Sequence, residues 1–186
     1  LDRVNPDWRE KGAPVNTPVR EDRFYYMGPG GEVRLPNFLN PPLMSNHGNY
    51  IVSLGALCQW LAEQATELGV EIYPGFAATE VLYDDDDAVL GIATGDMGVT
   101  RDGTPGPNFA RGMELRGKYT FFAEGVRGAL SKQLIARFDL SYGRIQKYGI
   151  GLKELWEVPA DKHQPGLVQH TFGWPLDSRA GGGSFL

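Results

Sequence analysis

A single cysteine, Cys58, in 186 residues leaves this segment with no internal disulfide, no cysteine-based zinc site and no iron–sulfur cluster of its own. Positive charge is also short. Eighteen Lys and Arg face 23 Asp and Glu, a net charge of -5, so the basic face that phosphate backbones require is missing and nucleic acid is not an expected partner. Histidine is scarce: His47, His163 and His170 each lack a second histidine three or four positions away, the spacing a metal site would use. No serine or cysteine stands in the setting of an activated nucleophile, which leaves hydrolase chemistry unsupported. No run approaches the ~20 apolar residues of a membrane-spanning helix. A monotopic protein can still dock on a membrane through elements outside the segment.

What is present has a globular balance, 41% apolar and 22% charged, enough for one ordinary domain or two small ones. The ends read as interrupted elements. Leu1-Asp2-Arg3-Val4-Asn5-Pro6 resembles the tail of something preceding, and a strand is beginning at Phe185-Leu186. More chain is therefore expected on both sides.

Along the chain, residues 8 to 46 are punctuated by Pro14, Pro18, Pro29, Pro36, Pro41 and Pro42, predicting extended chain with one hairpin around Gly28-Pro29-Gly30-Gly31. From Leu54 the period becomes helical: Leu54, Leu57, Cys58, Leu61, Ala65 and Leu68 share a face, Ser53 is placed to cap and Gly69 to stop. Val70, Ile72 and Tyr73 then read as a short strand feeding a parallel sheet. Further strands are expected at 78–83, 89–94, 113–116 and 119–123. The Asp84-Asp85-Asp86-Asp87 run reads as a hairpin turn, because calcium loops alternate their ligands around a glycine. A second helix is expected with Val126, Leu130, Leu134 and Phe138 on one face. Strands at 148–158, 168–174 and from Gly183 onward complete the reading, the last two in a separate sheet.

Chemistry concentrates where Tyr119-Thr120-Phe121-Phe122-Ala123-Glu124-Gly125 runs into the second helix. Such a strand–turn–helix lets backbone approach a phosphate or ribitol beside free helix N–H groups, or it is an ordinary turn; the residues alone do not choose. Gly149-Ile150-Gly151 is no dinucleotide fingerprint, since Glu154 replaces the third glycine. Asn46-His47-Gly48-Asn49-Tyr50 lines a pocket or makes a helix-entry turn. The triple glycine 181–183 either lets a planar ligand lie against the chain or opens a strand flexibly.

Read in order, five stretches resemble the electron-transfer flavoprotein:ubiquinone oxidoreductase family: Asp7 to Pro18, Asn46 to Val52, Phe122 to Gly125, Tyr148-Gly149-Ile150-Gly151-Leu152-Lys153-Glu154-Leu155-Trp156, and Gly173-Trp174-Pro175-Leu176-Asp177. The resemblance implies a mixed α/β (α+β) fold: a partial FAD/NAD(P)-binding Rossmann-like domain interleaved with part of a β-sheet quinone-binding domain. On that basis residues 1–46 are an extended cover at the domain junction, 47–142 part of the FAD-binding domain and 143–186 the start of the ubiquinone-binding domain. It also implies FAD as cofactor, contacted by Ala77 and Ala78 near the adenine and by Ala123, Glu124 and Gly125 near the ribitol and pyrophosphate. Gly182 and Gly183 would meet a quinone carbonyl. A [4Fe-4S] cluster would lie in the C-terminal region beyond this segment. Electron-transfer flavoprotein, ubiquinone and the surface of a bacterial or mitochondrial inner membrane are the implied partners, the membrane touched peripherally.

Three functions follow from these observations. The first is a fragment of that quinone oxidoreductase, inactive alone; the second is a related flavin reductase or dehydrogenase of the geranylgeranyl-reductase type; the third is a flavin-free binding module.

Overall fold

The structure, a computed structural model, describes residues 1–177 and 179–186. In chain order its elements are β1 (Thr17–Pro18), β2 (Glu21–Gly28), β3 (Gly31–Leu35), β4 (Tyr50–Ile51), α1 (Leu54–Glu67), β5 (Ala78–Tyr83), β6 (Val89–Thr94), β7 (Met97–Val99), β8 (Pro105–Ala110), β9 (Glu114–Arg116), α2 (Ala129–Arg137), β10 (Leu167–Gly173) and β11 (Gly183–Phe185). Single 3-10 turns occupy Asn37–Leu39 and Pro42–Met44. The architecture is mixed α/β with several small sheets and few helices. Two compact units divide the chain, Leu1–Ile72 with Glu154–Leu186, and Tyr73–Lys153.

The first unit is built on a four-stranded sheet ordered β11-β10-β2-β3. The β2–β3 hairpin turns through Gly28 and Gly31, as the glycines predict. β10 runs antiparallel to β11 and parallel to β2, from Leu167 opposite Glu21 to Gly173 opposite Met27. Alternation along β2 and β10 puts aromatic rings on one face. Phe24 stacks on His170 with centroids 5.6 Å apart, and Phe172 lies 5.4 Å from Phe24 and 5.2 Å from Tyr26.

Beside that sheet, a small core forms where the chain's first residues cross α1: Trp8, Ala13, Val15 and Trp60, with Tyr50, Val52 and Leu57 packed on it. Both indoles are satisfied, Trp8 Nε1 donating to Asp2 Oδ1 at 2.7 Å and Trp60 Nε1 to the Lys11 carbonyl at 3.0 Å. Ser53 caps α1 by accepting from Ala56 N. At its end Gly69, at φ +86°, donates to Thr66 O while Val70 N donates to Ala65 O. This two-bond closure is the Schellman arrangement, which needs a residue tolerant of the left-handed conformation.

The second unit holds the antiparallel sheet β5-β6-β9 and the ribbon β7–β8. The acidic run is the β5–β6 turn: Asp84 Oδ1 accepts from Asp86 N and Ala88 N, and Asp87 is left-handed at φ +65°. Carboxylate-to-backbone bonding accounts for the first aspartate. α2 packs on β5, with Arg137 over the Tyr83 ring at 4.1 Å and bonded to Asp87.

Four expectations are corrected. Residues 70–73, 119–123 and 148–158 are not strands. Strand-like composition is not enough, because a strand also needs a neighbouring backbone in ladder register. At 70–73, moreover, Val70 N is already committed to the α1 terminus, so no strand feeds a parallel sheet there; β5 is antiparallel to its neighbour. Finally, α2 begins at Ala129 and leaves Val126 outside and exposed. Conversely, the proline-rich stretch 8–46 carries an eight-residue strand, β2.

Candidate functional site

The residues singled out from the sequence fall into two places, one in each compact unit. In the first unit, Gly182 and Gly183 lead into β11, where Gly183 sits opposite Phe172, Ser184 opposite Thr171 and Phe185 opposite His170. The Thr171 and Ser184 hydroxyls bond across the pair at 2.5 Å. The three glycines are not equivalent. A Cβ at Gly183 would stand 2.2 Å from the Thr171 carbonyl oxygen, so the strand pairing itself demands glycine there. At Gly182 a Cβ would meet only the movable end of Leu176, at 2.9 Å, and at Gly181 it would meet nothing. Gly181 and Gly182 therefore carry no backbone requirement for glycine, whereas Gly183 does.

A polar chain, of which the sequence marked only the Asn46 end, ties this sheet to the stretch before α1. Asn46 donates to both oxygens of Asp22, from its backbone N and from Nδ2, each at 2.8 Å. The same Nδ2 lies 3.3 Å from His170 Nε2. The Asn46 amide nitrogen faces Asp22, and its remaining proton has the Met44 carbonyl, also at 3.3 Å, and His170 Nε2 within reach. The Asn46-His47-Gly48-Asn49 cluster was the sequence signal, but its partners lie 24 and 124 residues away. His47 itself lines a recess of about 270 Å³ with Arg20, Asp22, Asn37, Asn40 and Ser45.

In the second unit, Ala77 precedes and Ala78 opens β5, both exposed; the Ala77 carbonyl accepts from Gly95 N at 3.0 Å and Ala78 pairs with Thr94. Ala123, Glu124 and Gly125 precede α2 on an exposed turn. Gly125 has φ +76° and no atom within 4 Å of where a Cβ would stand. The Glu124 side chain turns away from that opening to α2. Its Oε1 accepts from Leu130 N at 3.2 Å and its Oε2 from Ser131 N and Ser131 Oγ, both at 2.7 Å. The Ser131 hydroxyl first, then the Ser131 amide, hold the carboxyl below its ordinary range. Two of the helix amides that the sequence left free for a phosphate are thus given to Glu124. Among the described residues no group of three or more His, Cys, Asp or Glu could hold a metal ion, and no helix is long and apolar enough to cross a membrane.

Comparison with known proteins gives the class first. Residues 148–186, which contain β10, β11 and the glycines, match the family model described as "ETF-QO, ubiquinone-binding". Across the whole chain there is 55% identity over 189 residues to the electron transfer flavoprotein-ubiquinone oxidoreductase of Pseudomonas aeruginosa, covering 100% of this chain and 34% of that protein. The mitochondrial protein of that name from Mus musculus is 56% identical over 182 residues (97% of this chain, 29% of it), and that from Bos taurus 54% over 187 residues (100% and 30%). The chain belongs to the electron transfer flavoprotein-ubiquinone oxidoreductase family. It spans about a third of the length of these relatives.

Proposed function

We propose that this chain contributes to an enzyme that passes electrons from reduced electron-transfer flavoprotein through FAD to ubiquinone, and that it supplies parts of both the flavin and the quinone sites. The observation that carries the reading is that the ubiquinone-binding match, 148–186, contains the glycine run 181–183, in which Gly181 and Gly182 have open backbone beside a Gly183 that the strand pairing requires. A planar ring can lie on a strand entry that has no Cβ, and a backbone N–H or carbonyl there can bond a quinone oxygen. The aromatic face formed by Tyr26, Phe172 and Phe24 suits an apolar ring.

The residues also fit FAD. The open, left-handed Gly125 allows close approach of a ribitol or phosphate, and Ala77 and Ala78 offer small side chains to an adenine. When bound, FAD supplies the redox chemistry between electron donor and acceptor. The residues of this chain hold and orient it. In this proposal residues 1–46 form a cover, 47–142 belong to a Rossmann-like FAD domain and 143–186 begin the quinone domain interleaved with it. A [4Fe-4S] cluster does not fit these residues, because Cys58 is the only cysteine, so any cluster is held elsewhere in the intact protein. Peripheral attachment to an inner membrane is supported by an apolar loop, in which Phe38, Leu39 and Leu43 are 84%, 61% and 100% exposed beside Pro41 and Pro42.

The test is Gly182→Val in the full-length enzyme. Reduction of ubiquinone is expected to fall at least tenfold while flavin content and flavin reduction by electron-transfer flavoprotein persist. Unchanged quinone reduction would place the quinone elsewhere.

A further inference from the structure

We propose that Glu124 is a positioning residue, not a cofactor contact: its carboxylate caps α2 in place of the side chain that Gly128 lacks, and so sets the Gly125 turn whose open backbone meets the flavin. The proposal rests on the FAD reading above.

A helix leaves its first amides without partners, and the N-cap side chain normally takes the second and third of them. α2 has Gly128 at that position and no side-chain cap from it. Glu124, four residues earlier, accepts from these same two amides, Leu130 N and Ser131 N, and adds the Ser131 hydroxyl. Glycine at 128 is the condition for this. A Cβ there would lie 2.5 Å from both Glu124 Cβ and Oε2, and 2.8 Å from Ser131 Oγ. Glu124, Gly128 and Ser131 therefore form one device, in which the acid folds back over a glycine onto a serine.

Two consequences follow. The carboxylate sits where an anion would otherwise bind, so the N-terminus of α2 repels a pyrophosphate instead of receiving one. Folding back also pins both ends of the 124–128 loop, and between them Gly125 is held left-handed with its Cβ side empty. Cofactor contact on this turn is made by backbone.

The experiment uses the full-length apoprotein titrated with FAD, with hydrogen exchange read at the Leu130 and Ser131 amides. Glu124→Ala and Gly128→Ala are each expected to weaken FAD about tenfold or more, and Ser131→Ala several-fold, all with faster exchange at both amides. Glu124→Gln, which keeps one acceptor oxygen, should fall between wild type and Glu124→Ala. The loss in the Glu124→Ala, Ser131→Ala double variant should be smaller than the two single losses combined, because both remove one network. Should Ser131→Ala and Gly128→Ala leave FAD affinity intact while Glu124→Ala abolishes it, the carboxylate touches the cofactor directly and the proposal is wrong. Accelerated exchange with unchanged FAD affinity in every variant reduces Glu124 to a helix cap and overturns its positioning role. Wild-type protein that takes up no FAD at all overturns the cofactor reading instead, and with it the flavin half of this proposal.

Discussion

At the scale of single residues, neighbours in sequence do different work. Gly183 is held by the Thr171 carbonyl, so Gly183→Ala drives a methyl into backbone that cannot yield without breaking the β10–β11 pair. It should lower stability by about 1–3 kcal/mol, measured by denaturant unfolding, whereas Gly182→Ala should unfold nearly as wild type. Glu21 is the other residue with a distinct signature. The Arg23 guanidinium, at 2.8 Å, and then Arg34, at 3.0 Å, lower its carboxyl from an ordinary 4.5 to about 2. A depressed folded value means that its contribution is complete above about pH 4.5 and disappears as pH falls from there through 2. Glu21→Gln should therefore flatten the acid limb of a stability-versus-pH curve within that window. An unchanged limb would show the exposed pair to be fully screened by solvent.

Among the elements, α1 is where local and tertiary terms agree. Its period, its Ser53 cap and its Gly69 stop were all legible, because each depends on residues within a turn of one another. Its anchorage was not. Only Trp60 is buried on it, and the partners are Trp8, Ala13 and Val15 from a stretch that looked structureless. Trp60→Ala should cost about 3–5 kcal/mol and release residues 1–15 to proteolysis, a result that an undisturbed digestion pattern would contradict. β2 shows the same limit from the other side. Its Phe24-Tyr25-Tyr26 run has strand composition, yet the prolines around it masked the signal, and its parallel partner β10 begins at Leu167.

For the molecule as a whole, burial is the informative quantity. Only seven apolar side chains are buried among the described residues. Ile150, Leu152 and Leu155 are almost fully exposed, at 97%, 97% and 100%. Apolar surface on this scale normally lies against other protein. Residues 1–186 expressed alone should bind a hydrophobic dye strongly, self-associate with rising concentration and retain FAD poorly, checked by fluorescence, light scattering and flavin titration. A monomeric, dye-silent chain holding one FAD would refute this.

What the sequence determined unaided are the features whose causes are local: the α1 span and its caps, the glycine hairpin at 28–31, the acidic turn at 84–87, and the family likeness carried by runs such as Tyr148 to Trp156. Tertiary structure decided which strand-like stretches become strands, because a ladder needs a second backbone and composition cannot say whether one arrives. It also decided which glycine is free and which is required, since the atom opposing Gly183 belongs to Thr171, twelve residues away on another strand. And it turned Glu124 from an acid beside a glycine into the cap of a helix, since only the folded turn brings its carboxylate to amides six and seven residues ahead, out of reach in an extended chain.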